Sequence, residues 1–219
     1  YGYKKSTVLV SLLNAVILLI AVGAILYESI GKLRNPSEVA GSAIAWVAGI
    51  GIFVNGITAF LFMKDKKKDL NVKGAYLHML ADALVSVGVL ISGLIISNTG
   101  LYIIDPIIGI VVAIVILVST WNLLHDSIRL SLDGVPVDVD MVKVQQAIEE
   151  SPGVESVHHM HVWAISTTEI ALTAHIVIND YNNIDSIKKE TKERLKEIGI
   201  GHATLEFEHT NEGCMAECD

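Results

Sequence analysis

Four apolar stretches, residues 6–30, 39–63, 74–97 and 102–124, each run for the roughly 20 residues that a bilayer-crossing helix needs. Polar punctuation separates them: Asn35-Pro36 breaks the chain after the first, a KDKKKDLNVK segment follows the second, and Asn98-Thr99-Gly100 makes a short turn after the third. Asp105-Pro106 opens the fourth, with Asp105 expected as N-cap and Pro106 in the first helical turn.

From about Ser131 the pattern becomes that of a water-soluble unit. Asp138 or Asp140 is placed to cap a helix to about Glu150, with Val142, Val144, Ala147 and Ile148 inward and Ser151-Pro152-Gly153 as its stop. Residues 154–165 and 169–178 read as strands, the second alternating Ile170, Leu172, Ala174, Ile176 and Ile178. A Lys/Glu-rich amphipathic helix over 185–198 ends at Gly199, and 202–208 forms a third strand in which Leu205 and Phe207 alternate. The expected fold is a membrane α-helical domain over residues 1–130 and a small α+β domain over 131–219. Its order, α-β-β-α-β, suits an open sheet covered on one face by two helices.

Composition and charge divide at the same place. The chain is 52% hydrophobic with mean hydropathy +0.52. Through Arg129 it carries a net charge of +3, and the remainder carries −11. An acidic soluble half argues against nucleic acid as a partner and is compatible with a cation-handling unit, or with an acidic surface that only aids solubility. Lys4, Lys5, Lys64, Lys66, Lys67, Lys68, Lys73 and Arg129 fall on one side of a four-span arrangement, against Lys32 and Arg34 on the other. The excess of positive charge places both ends of this chain in the cytosol and the Lys-rich loop against phospholipid. The first apolar run is too long for a cleavable signal and lacks a small-residue cleavage site.

The third apolar stretch contains His78 and Asp82, four residues apart and so on one helix face. Counted from Gly74, Asp82 lies roughly 12 Å into a hydrocarbon core about 30 Å thick. A carboxylate at that depth needs a cavity, a partner or a bound cation. An imidazole nitrogen and a carboxylate oxygen form half of a tetrahedral site for Zn²⁺ or a similar ion. The alternative is a polar pair that hydrogen-bonds helix to helix. Ser86 lies one turn further along, as a small packing residue, and Asn14 and Asn55 are expected to hydrogen-bond between helices. The soluble half holds His158, His159, His161, His175, His202 and His209. Strict strand alternation puts His159 and His161 on one face and His158 on the other. Cys214 and Cys218 are the only cysteines, and in a reducing cytosol they suit a metal site better than a disulfide. Neither a GxxxxGK[ST] loop nor an HExxH motif is present, so neither nucleotide-driven transport nor a metallohydrolase is supported, and the protein is not expected to be an enzyme.

Four phrases appear in a recognisable order: YGYKKSTVLVSLLNAVILL, HMLADALVSVGVLISGLII, LSLDGVPVDVD and VHHMHVWAISTTEIALTAHIVI. Together they resemble the cation diffusion facilitator family of zinc transporters, of the bacterial cobalt–zinc–cadmium efflux and vesicular zinc transporter types. The resemblance implies a six-span, dimeric, proton-coupled antiporter with a cytosolic metallochaperone-like domain. The spans seen here match its last four, and its first two have no counterpart, so the sequence reads as a fragment or truncated form.

By the same resemblance, His78 and Asp82 match the fifth-span pair of the transport site, whose other two ligands come from the second span. His158, His175 and His202 match cytosolic zinc ligands, with His209 standing where the family pattern has a carboxylate. Cys214 and Cys218 resemble its terminal cysteine pair, spaced one residue wider. The implied function is efflux of a divalent metal cation, Zn²⁺ first, by proton-coupled antiport from a homodimer. The competing reading is a metal-sensing regulatory membrane protein that dimerises without transporting.

Overall fold

The computed structural model describes residues 2–35, 41–67 and 69–209, apart from the side chains of 41–47. Four long helices come first: α1 (Ser6–Arg34), α2 (Gly41–Phe62), α3 (Leu70–Thr99) and α4 (Ile104–Ser131). They are followed by α5 (Met141–Glu149), β1 (Val154–Ala164), β2 (Ile170–Ile178), a 3-10 turn (Tyr181–Asn183), α6 (Ile184–Glu197) and β3 (His202–His209). Helices α1, α3 and α4 are each long and apolar enough to cross a membrane, and α2 adds a shorter apolar run, Ala48–Phe62. A membrane helical part followed by an α-β-β-α-β unit is the class the sequence predicts. The chain forms two compact units: Thr7–Ser127 is one, and the segments on either side of it make the other.

In the helical unit, α1 buries Val8, Ser11, Ala15, Leu18 and Val22, spaced alternately by three and four residues, and leaves Leu9, Leu13 and Ile20 outward. That stripe is the narrow seam of one helix packed on others, with the outward residues suited to lipid. Small and polar residues carry the close contacts, as expected where oil does not distinguish helix from lipid. The Ser11 and Ser127 hydroxyls meet at 3.1 Å between α1 and α4. On α2, Gly51 comes so close to Ser86 of α3 that a Cβ there would lie 2.8 Å from the Ser86 hydroxyl. Ser86 itself donates back to the Asp82 carbonyl at 2.8 Å.

Helix α1 runs on to Arg34 and α4 to Ser131, past the apolar stretches, and the starts of α3 and α4 differ from the sequence reading for local reasons. Helix α3 begins four residues before Gly74, because the Asp69 carboxylate accepts from the Asn71 amide at 2.7 Å and caps the helix. This draws Lys73 into the helix, where its ammonium pairs with Asp126 of α4 at 2.7 Å. Asp105 is not the N-cap of α4, since that helix starts at Ile104. Its carboxylate instead accepts from Ser92 of α3 at 2.8 Å and pairs with Lys32 of α1 at 3.2 Å. Pro36 lies outside the described residues.

In the second unit the sheet order is β1-β2-β3, with β1–β2 antiparallel and β2–β3 parallel. Asp140 caps α5, accepting from the Val142 amide at 3.0 Å, and α5 buries Val144 and Ile148 while Val142 stays outward. Those two residues join Leu172, Ala174, Ile176 and Ile178 of β2 and Ile187 and Leu195 of α6 in one core. Both helices therefore cover the same face of the sheet, and the other face carries Thr173 and His175 of β2 and Glu206 and Glu208 of β3. Lys4 and Lys5, at the start of the chain, pair with Glu169 and Asp133 of this unit.

The turn from α5 into β1 depends on Gly153, whose φ of +95° disfavours any side chain. A Cβ there would also lie 2.8 Å from Cδ1 of the core residue Ile187. Left-handed backbone costs a non-glycine residue about 1–2 kcal/mol, and overpacking adds about 1–3 kcal/mol. Gly153→Ala should therefore destabilise this unit by at least about 2 kcal/mol, read as loss of amide hydrogen-exchange protection in β2 under mild urea. Unchanged protection would show that the turn and Ile187 yield freely.

Candidate metal centre

The helical unit places His78 and Asp82 on one face of α3, with Nε2 3.6 Å from Oδ2. That separation is too long for a hydrogen bond, so the two do not satisfy one another. Both side chains are about half exposed, at 48% and 46%. Asn14 of α1 packs on Gly74 one turn before His78: a Cβ on that glycine would lie 3.0 Å from the Asn14 amide nitrogen. Among the described residues no further His, Cys, Asp or Glu completes a cluster with the pair.

A second set of donors is built on the polar face of the sheet. In β1, His158 pairs with His175 of β2, but the next matched pair is His161 with Thr173. Three steps along β1 thus answer two along β2, which is a β-bulge, and His159 within it has φ of +48°. The extra residue cancels the alternation expected from the sequence. His158 and His159 do not lie on opposite faces: their rings are 5.5 Å apart, and they stand 5.4 Å and 5.2 Å from the ring of His175.

From β3, Glu208 reaches into the same place. Its Oε1 is 2.6 Å from Nδ1 of His175, and its Oε2 is 3.2 Å from Nε2 of His158. One donor atom from each of His158, His175 and Glu208 lies within 4.8 Å of the other two. Although Nε2 of His158 is within ion-pair distance of Glu208, it is buried and has no well-directed hydrogen bond. An orphaned buried nitrogen is costly unless something else takes its lone pair. Ligand atoms about 2.0–2.2 Å from a tetrahedral zinc ion are roughly 3.3–3.5 Å apart, so small side-chain shifts would bring all three onto one ion. The residues fit the group. Glu206 lies 3.4 Å from Nε2 of His175, the ring nitrogen that does not face Glu208.

The four histidines assigned by resemblance do not all meet. His158 and His175 do. His202 pairs with Ala171 in the β2–β3 register, whereas His175 pairs with Glu206. Four residues along a strand separate them by about 13 Å. His209 falls on the opposite face of β3 from Glu208 and stacks on Tyr181, with ring centroids 5.9 Å apart. Glu208 takes the position expected of His209. The signal for this was in the sequence: Leu205 and Phe207 point to the core, so parity sends Glu206 and Glu208 to the face of His175. Cys214 and Cys218 lie outside the described residues.

Comparison with known proteins bears on both parts of the chain. Residues 1–130 match the family model of the cation efflux transmembrane domain, and residues 136–209 match that of the cation efflux protein cytoplasmic domain. The chain belongs to the cation efflux family. The cadmium, cobalt and zinc/H⁺-K⁺ antiporter of Bacillus subtilis is 33% identical over 213 residues, which cover 95% of this chain and 68% of that protein. The metal cation efflux system protein CzcD of Cupriavidus metallidurans is 35% identical over 210 residues, 95% of this chain and 66% of that protein. The zinc transporter ZitB of Escherichia coli is 33% identical over 225 residues, 97% and 72%. Among solved structures, the metal-bound C-terminal domain of the CzcD transporter is 35% identical and covers 32% of this chain and 99% of that one, with a TM-score of 0.30. This cation efflux chain thus has a transmembrane part carrying His78 and Asp82 and a second part carrying His158, His175 and Glu208.

In an Asp82→Ala background, which removes the membrane pair, calorimetry should report the cluster alone. His158→Ala and His175→Ala should each weaken Zn²⁺ binding by at least about tenfold, the lower end of what even an outer partner of a ligand contributes. His202→Ala and His209→Ala should leave it within about twofold, since neither stands at the cluster. Affinity should fall as the pH is lowered, because protons compete with the ion for the same nitrogens. Equal losses at all four histidines would contradict the placement.

Proposed function

We propose that this protein exports divalent cations, Zn²⁺ foremost, from the cytosol in exchange for protons, and that it works as a homodimer with both ends of this chain cytosolic. The observation that carries the reading is the condition of Asp82. Asp105 and Asp126, the other carboxylates on α3 and α4, each have a lysine ammonium within 3.2 Å. The only ion-pair partner of Asp82 among the described residues is His78, too far away to hydrogen-bond. A carboxylate on an apolar helix without a fixed cation is suited to a mobile one.

The exchange follows from the donors themselves. Imidazole binds a metal ion only through an unprotonated nitrogen, so an arriving ion displaces protons from the pair, and its departure lets protons return. Nitrogen and oxygen ligands without thiolate favour Zn²⁺, Cd²⁺ or Co²⁺ over Cu⁺. The relatives named as zinc, cadmium and cobalt transporters support that cargo class, and the family match of residues 136–209 supports dimerisation through the cytosolic unit.

One observation favours the second reading, a metal sensor that does not transport. The membrane pair gathers two donors and the cytosolic cluster gathers three. The readings part in vesicles from cells expressing the protein from its native gene. Asp82→Ala should reduce zinc-driven proton movement by about 100-fold or more, equivalent to roughly 2.7 kcal/mol, while membrane insertion and cytosolic zinc binding persist. Wild-type flux in that variant would overturn the transport site. No flux from the unsubstituted protein, with zinc binding intact, would favour the sensor.

A further inference from the structure

We propose that His159 is a third imidazole ligand of the cytosolic ion, turning a two-nitrogen, one-oxygen set into a closed site of three nitrogens and the Glu208 carboxylate. The proposal rests on the metal-binding reading of His158, His175 and Glu208 and adds a residue that strand alternation would send to the other face. The rings of His158, His159 and His175 stand 5.2–5.5 Å apart in a nearly equilateral triangle. Imidazoles bound to one tetrahedral ion at 2.0–2.1 Å have ring centroids roughly 5 Å apart, so all three sides of the triangle match a shared ion.

The backbone gives the second, independent observation. His159 holds φ of +48° inside a strand, a conformation rare for residues with a Cβ, though histidine tolerates it better than most. The bulge could have been built at glycine without that burden. Non-glycine residues held in this region cluster at ligand clamps and active sites, where the displaced side chain is used. Here the displacement brings the ring of His159 beside those of His158 and His175; its nitrogens lie outside the 4.8 Å cluster of donor atoms, so the imidazole must turn about its side-chain bonds to reach a shared ion. His161, beyond the bulge opposite Thr173, is 6.4 Å from His159 and is not part of the triangle.

A third nitrogen has a consequence for selectivity. Imidazole-rich tetrahedral sites favour Zn²⁺ and Co²⁺ over Mn²⁺ and Mg²⁺, which prefer oxygen and six-fold coordination. Removing His159 should therefore cost zinc more than manganese, a difference that loosened folding would not produce.

The test uses the whole protein in the Asp82→Ala background, with Co²⁺, Zn²⁺ and Mn²⁺ as probes. Glycine is the informative substitution because it accepts the backbone of residue 159 while deleting the ring. His159→Gly should weaken Zn²⁺ binding by at least about tenfold and Mn²⁺ binding by clearly less. The strong visible absorption of four-coordinate Co²⁺ should fade as waters enter the opened site and raise its coordination above four. Thermal stability without metal should be equal or higher, and His161→Ala should behave as the parent. Unchanged zinc affinity and an unchanged Co²⁺ spectrum in His159→Gly would overturn the role of His159 while leaving the three-donor site standing. If the parent itself bound none of these ions at the sheet, the underlying reading would fail, and the proposal with it.

Discussion

A carboxylate on an apolar helix has to be compensated, and that requirement organises the helical unit. Glu28 and Asp105 share the Lys32 ammonium, with Ser92 donating to Asp105 from a third helix. Asp126 is held by Lys73. These contacts tie α1, α3 and α4 together near both ends of the apolar region, where lipid offers no hydrophobic driving force for helix association. Asp82 lies between the ties and, among the described residues, has only an imidazole as ion-pair partner. Asp105 and Asp126 each have an ammonium beside them, Asp82 has none among the described residues, and the proposed transport role rests on that difference.

The cytosolic cluster meets the same chemistry with different means. Water is available at the sheet, so the constraint there is directional: donors must be brought from three strands to one point. Register does most of this, pairing His158 with His175 and setting Glu206 and Glu208 on the same face. The bulge does the rest by removing one step of alternation from β1. Both donor sets are nitrogen and oxygen without thiolate among the described residues, a chemistry that suits the same group of divalent ions.

Much of this was legible along the chain. Long apolar runs located the four helices, and a two-residue period located β2 and its buried Leu172, Ala174, Ile176 and Ile178. Boundaries were less legible where a polar side chain had two possible partners. Asp69 was available to cap α3, and Asp105, which suits a cap by its place before Pro106, is taken by Lys32 and Ser92 from other helices. Glu208 could have been found by carrying the parity of Leu205 and Phe207 one step further, but the family pattern drew the assignment to His209. The bulge was not legible, because an extra residue in β1 exists only relative to the partner strand and leaves no local mark in VHHMHVW.

The central claim is that Asp82 and His78 together hold a divalent ion within the apolar region. Zinc K-edge absorption on the purified protein carrying His158→Ala and His175→Ala would test it most directly, since those changes silence the sheet site. The account predicts retained zinc in an all-nitrogen-and-oxygen shell with an imidazole signature, lost when Asp82→Asn is added. Zinc retained equally after Asp82→Asn, or none retained before it, would contradict the account.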